Sequence, residues 1–109
     1  MYDLINEKQG LENRLSASIK KMKDYGKAYA EAEYKYKVAL AQTALRLKDS
    51  GMAVTMINMV IYGTGEVPKY RLERDIAEVL YTTIQENIQA VKLQLRLVEA
   101  QIEREWGQK

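Results

Sequence analysis

RLERDIAEVLYTTIQENIQAVKLQLRLVEAQIEREW, residues Arg71 to Trp106, is the stretch that decides the fold. It contains neither Gly nor Pro. Apolar residues recur at Leu72, Ile76, Leu80, Ile84, Ile88, Val91, Leu95, Val98, Ile102 and Trp106, in steps of three and four. That spacing is the period of one helix face, sustained for about ten turns. A second, shorter stripe (Ala90, Leu93, Leu97, Ala100) lies roughly opposite in the C-terminal half. A helix that is apolar on two sides needs cover on two sides, so this segment reads as the spine against which other helices pack.

Upstream, Leu4, Leu11, Leu15, Ile19, Met22, Tyr29, Tyr36, Leu40, Ala44 and Leu47 form a near-heptad series, with Gly26 and Glu33 in its two remaining slots. The reading is one long helix over about residues 4–49, weakened at Gly10 and Gly26, where a Gly costs about 1 kcal/mol relative to Ala. Asp49-Ser50-Gly51 is its stop, with Gly51 as the left-handed C-terminal residue and Lys48 favourable beside the helix carbonyls. Residues 52–62, MAVTMINMVIY, are the most apolar run. Thr55 suits an N-cap for a short helix over about residues 55–62, ended by Gly63. A β-strand competes, because Val54, Thr55, Ile57, Val60 and Ile61 are β-branched, but no partner strand is visible elsewhere. Thr64 then reads as the N-cap of the last helix, over about residues 65–106, with Pro68 tolerated in its first turn.

The expected architecture is therefore all-α: a single domain over residues 1–109, built as a long helical hairpin with a short apolar helix at the elbow. Helices of about 40 residues would each run about 60 Å. A bare hairpin leaves the second stripe of the last helix wet, which single chains usually avoid. Assembly into an oligomeric, coiled-coil-like bundle through that stripe is the simplest cover. A break at Gly26 or near Thr82-Thr83, folding a helix back on itself, is the alternative.

Composition bounds the chemistry. The chain holds 17 basic and 15 acidic residues for a net charge of +2, so it is no polycation. It has no Cys and no His, which removes thiol nucleophiles, imidazole bases and nearly all zinc sites. Glu73, Asp75, Glu78, Glu99, Glu103 and Glu105 lack the His partners of carboxylate metal bundles and read as surface charge. Gly63-Thr64-Gly65-Glu66 lacks the ending of a phosphate loop and reads as a turn. No catalytic residue, metal or cofactor is expected, and the protein is read as non-enzymatic. Met1-Tyr2-Asp3-Leu4 carries neither the basic nor the apolar part of a secretion signal, and residues 52–62 are too short to span a bilayer. A cytoplasmic protein with no membrane partner is the expectation.

Two surfaces are candidates for binding. The first is apolar: Met52, Met56, Met59 and Tyr62 at the elbow, Leu93 and Leu97 on the second stripe, and Trp106 near the C-terminus, residue types that suit protein contacts. The second is basic: Lys20, Lys21, Lys23 and Lys27 with Tyr25 among them, as in grooves that track single-stranded nucleic acid. Residues 1–36 nevertheless hold seven basic and six acidic side chains, and Asp24 and Glu31 neighbour Lys20 and Lys27 on the helix. A solvated face with local ion pairs fits better than a phosphate track.

LQLRLVEAQIEREW (Leu93 to Trp106), LRLKDSGMAVTMI (Leu45 to Ile57) and YRLERDIAEVLY (Tyr70 to Tyr81) resemble a group of small, largely uncharacterised helical proteins of Gram-positive phages and prophages. The similarity covers most of the chain and carries no catalytic residue. Genes of that group lie among early genes, near recombination and single-strand-binding functions. The resemblance implies a homo-oligomeric accessory protein in the host cytoplasm, acting on a phage or host protein in phage DNA metabolism or host takeover. Single-strand nucleic-acid binding through the basic helix is the alternative. Small secreted helical hairpins with a Trp-x-Gly turn are a further family of this build, but here the elbow is Tyr62-Gly63-Thr64-Gly65 and the only Trp is Trp106.

Overall fold

The computed structural model describes residues 2–107, and among them it is all-α, without a strand: a helical hairpin with a short helix at its elbow. Helix α1 spans Tyr2–Asp49, α2 Val54–Val60 and α3 Val67–Gly107, with a single 3-10 turn, Ile61–Gly63, between the last two. Both long helices are unbroken at the glycines and threonines that offered a place to fold back. Gly10 and Gly26 lie inside α1, and Thr82 and Thr83 inside α3. The contacts divide into two compact units, Met1–Asp24 with Tyr81–Lys109 and Tyr25–Leu80.

In the first unit, Leu11 packs with Val91, Leu95 and Val98, and Leu15 and Ile102 close over them. Ile84 and Ile88 are buried in the same unit. A polar pair also bridges the two helices in this unit: the Asn87 side-chain amide donates to the hydroxyl of buried Ser18 at 3.0 Å. Higher numbers on α1 meet lower numbers on α3, so the two segments run antiparallel. Val91 is 1% exposed, and burial of a Val side chain contributes about 1.5–3 kcal/mol.

The second unit has a different core. Tyr36 and Ala39 bury against Val67, flanked by Leu40 and Tyr70. The Arg74 guanidinium lies over the Tyr36 ring at 4.5 Å from its centre, and its Nη2 reaches Asp75 at 2.8 Å. Here the inward line of α3 is Val67, Tyr70, Arg74, Ala77 and then Tyr81 at the unit boundary, in alternating steps of three and four. The sequence reading placed Leu72, Ile76 and Leu80 inside instead, and all three are exposed, as is Trp106. The reason is geometric. Stepping back by four from Ile84 to Leu80, Ile76 and Leu72 turns about 40° per step away from the starting face, because each residue turns about 100°. A covered line needs threes as well as fours, and the threes lead to a Tyr and an Arg.

The helix boundaries follow from local hydrogen bonding. At the end of α1, the Gly51 N–H donates to the Lys48 carbonyl at 3.0 Å and the Met52 N–H to the Leu47 carbonyl at 3.2 Å. With Gly51 at φ +90°, this is a Schellman closure, and half-buried Met52 and Leu47 hold the two positions that an apolar contact commonly joins in that motif. Thr55 is not the N-cap of α2. Ala53 holds that position in extended geometry without a side-chain bond, and Thr55 lies exposed within the first turn. Nor does Thr64 cap α3, because its hydroxyl donates backward to the Val60 carbonyl at 2.6 Å. Gly65, at φ +58°, has Nη2 of Arg46 3.0 Å from where a Cβ would stand. Its backbone angle favours Gly there, whereas the Arg46 side chain can swing aside.

Three substitutions separate these contributions in urea unfolding. Gly51→Ala is expected to cost about 1 kcal/mol, because Ala must take a left-handed conformation. Ser18→Ala is expected to cost about 1–3 kcal/mol by leaving the Asn87 amide without its acceptor. Thr55→Ala is expected to stay within about 0.5 kcal/mol, as for other exposed sites without a special role; a loss of about 1 kcal/mol would return Thr55 to the capping position.

Candidate interaction surfaces

The elbow turns more apolar side chains outward than it uses. Of the seven residues of α2, only Ile57 is buried, and Ile61 is buried in the turn that follows. Val54, Met56, Met59 and Tyr62 are exposed, Met59 at 78%, while Met52 is half-buried beneath the Schellman closure. Ile57 and Ile61 are four apart and face inward, so the residues between them on the helical wheel must face out. Tyr62 is not bare on both faces, because the Arg71 guanidinium lies 5.3 Å from its ring centre. That cation–π contact ties the elbow to the start of α3 and fixes one side of the patch.

The outer side of α3 is also apolar. In the second unit Leu72, Ile76, Val79 and Leu80 are exposed. In the first unit the second stripe foreseen in the sequence is exposed as well, with Leu93 at 50% and Leu97 at 61%, and Ala90 and Ala100 beside them. Trp106 is 55% exposed in the same unit. The sequence reading missed the Leu72–Leu80 group as surface because it had assigned those residues to the core. Alternation of threes and fours, traced backward from Val91, is the signal that would have separated them.

The basic candidates are distributed differently. Lys20, Lys21 and Lys23 are exposed in the first unit, and Lys27 is exposed in the second, where Tyr25 is half-buried. A half-buried ring offers less of its face for stacking on a base. Acidic Asp24 and Glu31 are exposed on the same helix.

Open grooves also mark the surface of each unit. One of about 470 Å³ in the second unit runs past Tyr34, Lys35, Gln42, Thr43, Arg46 and Tyr70. Another, of about 450 Å³ in the first unit, includes Leu11, Arg14, Gln94, Leu97 and Gln101. Tyr29, in the second unit, has its phenol held above its ordinary value, first by burial and then by the charges of Glu78 and Glu33. Among the described residues no group of three or more Asp or Glu side chains is placed to hold a metal ion. No described helix is long and apolar enough to cross a membrane.

No family model, curated protein or solved structure matches the chain.

If the exposed elbow residues are surplus to folding, Met59→Ala will leave stability within about 0.5 kcal/mol of wild type. Ile57→Ala, two positions away but buried, will cost about 2–5 kcal/mol. Thermal or urea unfolding of the two variants checks the contrast, and equal losses would place Met59 in the core.

Proposed function

We propose that the protein is a non-enzymatic interaction module that docks a protein partner through the elbow and self-associates through the outer face of α3. The observation that carries this reading is the elbow itself: four large apolar side chains, Val54, Met56, Met59 and Tyr62, stand in solvent on eleven residues of chain, 52–62. Methionine and tyrosine suit such a role, because a flexible thioether and an amphipathic ring adapt to a partner while tolerating water in its absence. The absence of Cys and His from the chain leaves few groups with which to run acid–base or nucleophilic chemistry near neutral pH. The resemblance to phage and prophage proteins supports a partner among phage or host proteins, in phage DNA metabolism or host takeover. It also supports a site of action in the host cytoplasm.

The test is a comparison of two variants in partner capture from lysogenic or infected cells. Met56→Ser/Met59→Ser/Tyr62→Ser is expected to keep native helicity, since all three side chains are exposed, and to lose the captured partner. Lys20→Gln/Lys21→Gln/Lys23→Gln/Lys27→Gln is expected to keep it. Oligonucleotide binding distinguishes the nucleic-acid alternative. No complex is expected at about 150 mM salt, whereas phosphate recognition would show a steep salt slope that the four-lysine variant flattens. A salt-sensitive complex that Tyr25→Ala weakens would move the function to single-stranded nucleic acid.

A further inference from the structure

The exposed stripe of α3 in the first unit has an internal symmetry that names its occupant. Glu86, Ala90, Leu93, Leu97, Ala100 and Arg104 recur in steps of four and three, the spacing of the covered line Ile84, Ile88, Val91, Leu95, Val98, Ile102. Outward from the two leucines, each direction meets an alanine and then a charge, and the two end charges are of opposite sign. The stripe is a palindrome in size and an antisymmetric pattern in charge.

We propose that this stripe is the seam of an antiparallel homodimer centred between Leu93 and Leu97. Leu93 of each copy meets Leu97 of the other, Ala90 meets Ala100, and Glu86 meets Arg104. This rests on the self-association proposed above and specifies its geometry. Antiparallel pairing sets each large residue against a large one, each small against a small one, and each acid against a base. A parallel pair would bring Glu86 against Glu86 and Arg104 against Arg104, which like charges oppose.

The two charges are free to act in this way. Neither is in an ion pair within the described residues, and both are exposed. Ion pairing along a helix needs an opposite charge three or four residues away. Around Glu86 those positions hold Thr82, Thr83, Gln89 and Ala90, and around Arg104 they hold Ala100, Gln101 and Gly107. The borders of the stripe are also suited to an antiparallel neighbour. Gln94 and Gln101 form one flank, along the groove they share with Leu11 and Arg14 of α1. The other flank holds Gln89, Arg96 and Glu103. Arg96 approaches its own copy across the two-fold axis, a like-charged contact in the arrangement. From Glu86 to Arg104 the seam is about 27 Å long. Its apolar content is small, so the dimer is weak and reversible.

Sedimentation equilibrium of the full chain, from about 10 µM to about 1 mM, tests this. Wild type is expected to show a monomer–dimer equilibrium that Leu93→Glu weakens by about tenfold or more. Glu86→Arg and Arg104→Glu are each expected to weaken it about threefold, the two together to restore it, and Arg96→Gln to tighten it. Because the chain has no Cys, Gln94→Cys offers a clean crosslink, expected to join two copies at this position on mild oxidation. Circular dichroism confirms that each variant stays helical. A wild type that is monomeric at about 1 mM overturns both the seam and the self-association. A dimer that ignores Leu93→Glu overturns this seam and leaves self-association elsewhere. A dimer broken by Leu93→Glu but not restored by the double charge exchange overturns the antiparallel register alone.

Discussion

The packing of α1 against α3 depends on one constraint: a contact line on a helix stays on one face only where steps of three and four alternate. On α3 that line is strict, from Val67 through Tyr70, Arg74, Ala77, Tyr81, Ile84, Ile88, Val91, Leu95 and Val98 to Ile102. Its chemistry changes along the way. Beyond Tyr81, in the first unit, it is aliphatic and packs on Leu11 and Leu15, whereas in the second it presents Tyr70 and Arg74 to a face of α1 built from Tyr36, Ala39 and Leu40. An Arg in such a line is tolerable because its planar guanidinium stacks on Tyr36 and its Nε and Nη2 donate to Asp75, so its charge is not stranded. Polar residues at seam positions, Arg74 in one unit and the Ser18–Asn87 pair in the other, cost stability if mispaired. They therefore favour a single register over its slipped alternatives.

That mixture explains what could be read in the sequence and what could not. The α1 line was legible in part: Leu4, Leu11, Leu15, Ile19, Met22, Tyr36 and Leu40 advertise a heptad even with Gly26 and Glu33 among them, and of these Leu11 and Tyr36 are buried and the others half-buried, while buried Ser18, Ala39 and Thr43 lie off that line. The C-terminal half of α3 was legible for the same reason. Its N-terminal half was not, because a hydrophobicity count follows Leu72, Ile76 and Leu80, and the residues that occupy the seam are a Tyr, an Arg and an Ala. Capping failed in a related way. Thr55 and Thr64 are good N-cap types, yet Thr64 finds a nearer acceptor in the Val60 carbonyl and Ala53 occupies the cap of α2. Gly51 succeeded because a positive φ, unlike a hydroxyl's choice of partner, excludes nearly every competitor.

The candidate surfaces were legible in proportion to how little they depended on pairing. Leu93 and Leu97 stood out as a second stripe and are exposed; so are Met56, Met59 and Tyr62. Met52 was grouped with them by composition but serves the Schellman closure, which only the backbone geometry shows. The Arg71–Tyr62 stacking and the exposure of Leu72, Ile76 and Val79 lay beyond any residue count, since each depends on which face of α3 is covered.

Burial and exposure at the elbow are linked by the length of α2. Seven residues make about two turns, enough to send one pair, Ile57 and Ile61 at the following turn, into the core. A polar connector of the same length would have closed the hairpin with the same two anchors, and Thr55 and Asn58 show that the outward positions accept polar residues. The outward Val54, Met56, Met59 and Tyr62 are thus not demanded by the closure. Exposed apolar side chains invite non-specific association, so a fold that gains nothing from them is better served by polar ones. Their presence on the outside of a segment anchored from within is the physical reason for reading the elbow as a surface that meets a partner.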